Sequence, residues 1–312
     1  MARRKGRPIH GWLVLDKPKG LTSTQALGQV KRLFQPAKAG HSGTLDPLAT
    51  GVLPIAFGEA TKTVSFTMDG LKTYRFTIDW GVATDTLDAE GKPVGTSDVR
   101  PTPDEIEAAL PAFEGEVMQT PPAFSAVKVA GERAYDLARE GETVELQPRL
   151  VWIERLALVD AAEADRSAFE MVCGKGTYVR ALARDLAAHL GTVGHVSALT
   201  RTCVGPFSLD DAVGLAHLAA LSEQSDRDDH LLPVDSPLDD IPAVDLTEAE
   251  AHRLRCGQAV SLLRRSARDR LFGLEPDLSG GDVFVLAKAG DTPVALTRLE
   301  AGQLQPVRVL NL

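Results

Sequence analysis

Along the chain, the apolar run Ile9–Leu15 (IHGWLVL) predicts a strand, closed by the turn Lys17-Pro18-Lys19-Gly20. Thr22 followed three residues later by Gln25 is a capping-box signature, and Ala26, Leu27, Val30, Leu33 and Phe34 then recur at helical spacing. From Lys38 to Pro54 the periodicity vanishes and Gly, Thr, Pro and Asp take over, which predicts a long irregular loop, the kind of segment on which functional groups concentrate. Lys72–Val82 (KTYRFTIDWGV) alternates cleanly, with Tyr74, Phe76, Ile78 and Trp80 on one face and Arg75, Thr77 and Asp79 on the other, as a half-buried strand does.

Further on, Thr102-Pro103-Asp104-Glu105 opens a capped helix that stops near Gly115, and a second helix is expected from Glu132 to Glu140, ending at Gly141. Leu150–Asp160 and Ser167–Cys173 read as strands. Thr177 begins a helix with Val179, Leu182, Ala183, Leu186 and Leu190 facing inward, ending at Gly191. Val196–Val204 is another strand and Asp210–Leu221 another helix. Asp226–Asp245 mixes acids with Pro233, Pro237 and Pro242, as a linker would. Beyond it, strand candidates at Val260–Leu263, Val283–Lys288, Pro293–Leu299 and Val307–Leu310 suggest a small β-rich domain.

At 312 residues and 44% hydrophobic content, the chain can bury a proper core. No stretch approaches a membrane span, and the charged start is not followed by the apolar run of a secretory signal, so a cytoplasmic protein is expected. Cys173, Cys203 and Cys256 lie far apart and the histidines show no ligand spacing, so neither a disulfide framework nor a metal site is expected. A net charge of −9 alone argues against a nucleic-acid partner, but its distribution reverses that inference. The first 40 residues carry nine Lys or Arg (Arg3, Arg4, Lys5, Arg7, Lys17, Lys19, Lys31, Arg32, Lys38) and one acid, Asp16, whereas Leu221–Glu250 carries ten acids against Arg227. Separated blocks suit a chain that grips a polyanion on one face and repels it elsewhere. A solvated basic tail accounts for Arg3 to Arg7 but not for the lysines inside the folded pattern.

The densest run of chemistry is Gly40–Pro54 (GHSGTLDPLATGVLP), where three glycines and two prolines bracket Asp46. Such a loop is stiff at its ends and can hold one carboxylate against a bulky polar substrate. An isolated Leu-Asp-Pro is more often an ordinary turn. The match is longer than that. GHSGTLDPLATGVLPIAFGEATK resembles the catalytic motif of the TruB family, the synthases that make pseudouridine 55 in the T-loop of tRNA. DKPKGLTS (Asp16–Ser23), KTYRF (Lys72–Phe76), PPAFSAVKVAGERAYDLAR (Pro121–Arg139), GKGTYVRALARDLA (Gly174–Ala187) and HVSALTRTCVGPF (His195–Phe207) match in the same order, so the resemblance spans residues 8–215.

The resemblance implies an α+β fold: a large mixed, mainly antiparallel sheet flanked by helices over residues 1–225, an acidic linker at 226–245, and a β-rich, PUA-like RNA-binding domain at 246–312. It also implies isomerisation of a uridine in the T-arm of tRNA by a bacterial-type enzyme, expected to be a monomer and to need no cofactor. Asp46 is the implied catalytic carboxylate. A carboxylate that reacts in a dry pocket needs a cationic partner. Arg180 matches the family arginine that pairs with it, although on residues alone Arg180 reads as a surface arginine beside Asp185. Tyr74, otherwise a core tyrosine, matches the tyrosine that stacks on the extruded base. Leu199 offers an apolar wall or is a plain strand core residue. His41 resembles the histidine that fills the gap left by flipped bases, or it bonds its loop neighbours. Tyr178 is expected under the site. Lys19, Lys31, Arg32 and Lys128 are candidate phosphate contacts, or solvated surface charges. The competing readings are a synthase of the same superfamily acting on another structured RNA, a guide-dependent type included, and a non-catalytic protein that binds and folds tRNA. Glycoside hydrolysis lacks a second acid at recognisable spacing.

Overall fold

The structure is a computed structural model that describes residues 6–125, 127–129, 132–135, 146–262, 271–272 and 283–312, with only the backbone described at 128, 129, 132, 133, 271 and 272. Arg3, Arg4 and Lys5 lie outside the described residues. In chain order, β1 (Gly11–Lys17) is followed by α1 (Ser23–Phe34), β2 (Ala39–His41), β3 (Thr50–Phe57), α2 (Val64–Asp69) and β4 (Lys72–Trp80). The small hairpin β5 (Val82–Thr84) with β6 (Pro93–Thr96), α3 (Pro103–Ala109), β7 (Gly115–Gln119) and the hairpin β8 (Lys128–Val129) with β9 (Glu132–Arg133) come next. Then follow β10 (Arg149–Asp160), β11 (Arg166–Cys173), α4 (Val179–His189), β12 (Gly194–Val204), β13 (Phe207–Ser208) and β14 (Val213–Gly214).

Local signals set the helix ends. Thr22 accepts from the Gln25 N–H at 3.1 Å while the Gln25 side chain accepts from the Thr22 N–H at 2.9 Å, closing the expected capping box. Thr102 and Glu105 build a second one ahead of α3. Two helix expectations change. Glu132 and Arg133 pair with Val129 and Lys128, whereas Ala134 and Tyr135 are helical, so the expected helix begins later than Glu132, and its residues 136–141 lie outside the described ones. Asp210–Leu221 is broken into a 3-10 turn, the two-residue strand β14 and a helix at Leu215–Ala220, because Ser208 caps the first turn and Val213 pairs with Leu15.

The large sheet has ten strands, in the order β14-β1-β3-β12-β4-β11-β10-β7, with β2 on β3 and β13 on β12. Only β1–β14 and β3–β12 are parallel, so the sheet is mixed and mainly antiparallel. β1 reads as a continuous apolar run because both its faces are covered. Leu13 and Leu15 join the main core with Phe34, Phe57, Phe76 and Phe169, whereas Trp12 and Val14 face a second cluster with Val52, Val234 and Leu310. Phe34 stacks on Phe57 and Phe76 on Phe169, ring centroids 5.1 and 5.3 Å apart.

The acidic, proline-containing stretch does not run free. Leu232 exchanges backbone hydrogen bonds with Trp12, the Trp12 indole donates to Val234 O at 3.2 Å, Arg7 pairs with Asp228, and Asp235 pairs with Lys288 at 2.7 Å. It is a strap across the back of the sheet. Beyond it, β15 (Ala243–Asp245), β16 (Val260–Ser261), β17 (Leu271–Phe272), β18 (Val283–Ala289), β19 (Thr292–Glu300) and β20 (Gln303–Val309) form a six-stranded sheet around its own core of Val244, Val285, Val294 and Leu304. A helix absent from the sequence expectations, Glu248–Arg255, packs on this sheet behind a Thr247/Glu250 capping box.

One charged side chain is buried in β1. The Lys17 ammonium donates to Pro18 O at 2.9 Å and Leu21 O at 2.7 Å, closing the turn ahead of α1. Burial pushes its pKa from 10.5 down to about 8, with the charges of Asp46 and Glu90 pulling the other way. Below about pH 8 both the folded and the unfolded chain hold this proton, and the folded state bears the full burial cost. Between about 8 and 10.5 the unfolded chain binds more protons, so this group's effect becomes less unfavourable as pH rises. The wild type should therefore gain stability relative to Lys17→Met between about pH 7 and about pH 10 in urea unfolding. A gap that stays constant, or that moves against the wild type, contradicts this.

Candidate active site

The loop that carries Asp46 is shorter than its sequence suggests. Strands β2 and β3 pair from Ala39↔Phe57 to His41↔Ile55, so both ends of the Lys38–Pro54 stretch are regular and the irregular part is residues 42–49. Glycine and proline hid these strand ends because the backbone approaches its neighbours closely there. At Gly51 (φ 96°), facing Arg201 across the parallel β3–β12 pair, an added Cβ would lie 2.2 Å from the Arg201 carbonyl oxygen. The residues on either side of Asp46 are tethered. The Ser23 hydroxyl accepts from Leu45 N–H at 2.8 Å and lies 3.1 Å from Leu45 O, and Gly20 N–H donates to Pro47 O at 2.8 Å. Leu45, Leu48 and Ala49 anchor the loop in the core.

Asp46 meets Arg180. Residue 180 stands in the first turn of α4, after Tyr178, whose N–H donates to Gln119 Oε1 at 2.8 Å. The Arg180 side chain is 5% exposed, and its Nε lies 2.8 Å from Asp46 Oδ2. Nη1 donates to Thr86 O at 2.8 Å and Nη2 to Phe124 O at 2.9 Å, so every nitrogen of the fork is held. Asp185, the local partner that sequence suggested, pairs with Arg184 at 2.8 Å. The Asp46 side chain is 36% exposed, and its Oδ1 has no hydrogen bond to protein among the described residues. One carboxylate oxygen is thus fixed by the protein and the other is not.

A second acid, unnoticed in the sequence, shares this guanidinium. Asp88 Oδ2 is 3.7 Å from Arg180 Nε, and its Oδ1 accepts from the Thr86 hydroxyl at 2.6 Å and from Glu90 N–H at 3.0 Å. Its turn (Thr84-Asp85-Thr86-Leu87-Asp88) reads as solvent-exposed polar loop. The signal against that is Leu87, a non-glycine residue at φ 63°, held between backbone hydrogen bonds to Thr84 and Val196.

Tyr74 lies across β4 from Arg201 on β12 and from Met171 on β11. Burial raises its phenol pKa, opposed by the charge of Arg201 and reinforced by Cys173 and Asp46. Leu199 is buried opposite Phe76, on the same face as Arg201. A bulge between Val196 and Ala198 shifts the alternation so that Val196, Leu199 and Arg201 all point inward. Arg201 is the second residue that sequence reading passed over. Alternation counted from Val196 would turn it outward, so no local signal marked it.

His41 ends β2 at the start of the loop. Its Nδ1 is buried without a hydrogen-bond partner, and burial, with Arg201 and Lys31 adding, lowers its pKa. Lys31 and Arg32 are exposed in the last turn of α1, and Lys19 is exposed in the turn whose Gly20 holds Pro47. No carboxylate lies within ion-pairing distance of these three among the described residues. The Lys128 side chain lies outside the described residues. Asp46, Arg180, Tyr74 and His41 thus gather around one loop, with Tyr178 at the N-terminal cap of the helix that carries Arg180 and a basic rim at Lys19 and Lys31. No group of three His, Cys, Asp or Glu is placed to hold a metal ion among the described residues, and no described helix is long and apolar enough to cross a membrane.

Comparison with known proteins identifies the family. The model of the TruB family pseudouridylate synthase N-terminal domain matches residues 31–179, and that of the tRNA pseudouridylate synthase B C-terminal domain matches residues 180–239. The tRNA pseudouridine synthase B of Caulobacter vibrioides is 56% identical over 313 residues, covering 100% of both chains, and that of Rhodospirillum rubrum is 52% identical over 310 residues, covering 99% of both. Among solved structures, an H/ACA RNP bound to a substrate RNA containing 2′-deoxyuridine aligns with a TM-score of 0.71 at 21% identity, over 100% of this chain and 92% of that one. A Cbf5-Nop10-Gar1 complex gives 0.70 at 24% identity, over 96% and 85%. These two show a shared fold. With near-complete coverage at more than half identity, the chain belongs to the TruB family of pseudouridylate synthases.

Proposed function

We propose that this chain converts uridine 55, in the T-loop of folded tRNA, into pseudouridine, with Asp46 as the carboxylate that acts on the flipped-out nucleotide. The observation that carries the reading is the half-committed carboxylate, one oxygen 2.8 Å from a buried guanidinium and the other open at the loop surface. Relatives named tRNA pseudouridine synthase B support tRNA as the substrate class.

The reaction breaks the bond from uracil N1 to ribose C1′, turns the base, and rejoins it through C5, while the C5 proton is lost and N1 gains one. Nothing is oxidised or reduced. The free oxygen of Asp46 has three uses consistent with this: attack on the sugar carbon, attack on the base, or removal of a sugar proton. A uridine stacked in a folded loop must first leave its stack, at a cost of about a few kcal/mol. Tyr74 stacks on the extruded base, Leu199 walls it, Tyr178 supports the floor, and His41 fills the gap left behind. Asp88 keeps Arg180 oriented from the far side. Lys19, Lys31, Arg32 and Lys128 contact phosphates, which position RNA without reading its sequence. Residues 1–225 carry the reaction, the 226–245 strap joins the two parts, and 246–312 act as a PUA-like grip on RNA.

Incubation with an unmodified tRNA transcript, mapped by carbodiimide-stop sequencing, should give a new stop at position 55 with the wild type and none with Asp46→Asn, which still binds the tRNA. A stop made by Asp46→Asn, or none made by the wild type, contradicts the reading. Binding should weaken as salt rises, and Lys31→Glu combined with Arg32→Glu should lower affinity and flatten the slope of log K against log salt by about one to two units. An unchanged slope and affinity removes α1 from the RNA-binding face.

A further inference from the structure

Arg201 is 2% exposed, on the inward face of β12. Its Nε donates to Val52 O at 2.8 Å and its Nη2 to Gly43 O at 3.3 Å. Gly43 and Val52 stand on opposite limbs of the loop that presents Asp46, so one guanidinium ties the two limbs together. The strand register sets Tyr74 directly across from it, and the Arg201 charge opposes the effect of burial on the phenol. The loop is shaped around this residue. Gly43, at φ 78°, is so near that a Cβ would lie 3.3 Å from Nη1, and Gly51 leaves room for the Arg201 backbone. Two carbonyls do not repay the burial of a full positive charge, and an apolar side chain would fill the same volume at lower cost. The charge therefore calls for a role besides packing.

We propose that Arg201 is a positioning residue for the reaction: by holding both limbs of the Asp46 loop with one guanidinium on the strand position paired with Tyr74, it sets the carboxylate in register with the ring on which the extruded base stacks. This rests on the pseudouridylation reading above. The two bonds to Val52 O and Gly43 O fix the limbs of the loop relative to the strand pair that carries Tyr74. Misplacement by about 1 Å at a reacting centre costs about a hundredfold in rate, so a clamp of this kind acts on turnover more than on RNA affinity.

Arg201→Met and Arg201→Lys separate the parts of this role. Both are assayed for tRNA binding, kcat and KM, with melting temperature as a folding control. Tyr74 is followed by 13Cζ NMR, its resonance identified with Tyr74→Phe. Arg201→Met should lose about a hundredfold in kcat with KM within about twofold, and its Tyr74 titration should begin at higher pH, because the cation opposing burial is gone. Arg201→Lys keeps the charge and should leave that titration close to the wild type. It should still lose about tenfold in kcat, since a point-charge ammonium cannot bridge both carbonyls as the planar fork does. A kcat within about twofold of wild type in Arg201→Lys, or an unmoved Tyr74 titration in Arg201→Met, overturns the proposal. If Arg201→Met does not fold, Arg201→Lys alone carries the kinetic test. A wild type that forms no pseudouridine on any tRNA strikes the functional reading instead, and the Tyr74 titration still reports the coupling.

Discussion

A guanidinium with every nitrogen committed is the fixed point of this molecule. Arg180 reaches Asp46 through Nε and is locked by two backbone carbonyls, Thr86 O and Phe124 O, from segments distant in sequence. The guanidinium is buried while the Asp46 side chain is 36% exposed, so the carboxylate is gripped from the protein side and open on the other. The surrounding architecture follows from keeping this pair in place. α4 supplies the arginine from its first turn, the β2–β3 connection supplies the acid, and the turn that carries Asp88 brings a second carboxylate to 3.7 Å from the same Nε.

The sheet explains why the acid can be held so firmly on irregular chain. β1 and β3 are covered on both faces, by the main core and by the strap with Leu310, so the chain between β2 and β3 can leave the sheet only at its end. There Ser23, Gly20 and Arg201 each hold a different part of it. Lys19, Lys31 and Arg32 are exposed near the loop, and two acids of the strap, Asp228 and Asp235, are paired with Arg7 and Lys288.

Much of this was legible in the sequence because it is local. The capping boxes at Thr22 and Thr102, the alternation of β4 and the inward stripe of α4 each rest on spacings of two to four residues. Sequence reading failed where tertiary contact overrides local preference. Glycine and proline in β2 and β3 reflect close backbone approach rather than looseness. The Asp210–Leu221 pattern gives way to a paired strand because Leu15 offers a partner. The site divides in the same way. Asp46 and Arg180 could be paired through family resemblance, whereas Asp88 sits in a turn with no periodicity and Arg201 is turned inward by a bulge that no local rule forecasts.

The most direct test of the central ion pair is the single-turnover rate of uridine isomerisation by Arg180→Lys under saturating enzyme. A lysine keeps the charge but loses the planar fork that aims Asp46 while holding Thr86 O and Phe124 O. The account predicts a rate about a hundredfold below wild type with tRNA affinity unchanged. A rate within about twofold of wild type would show that the carboxylate does not depend on this guanidinium, and would contradict the account at its centre.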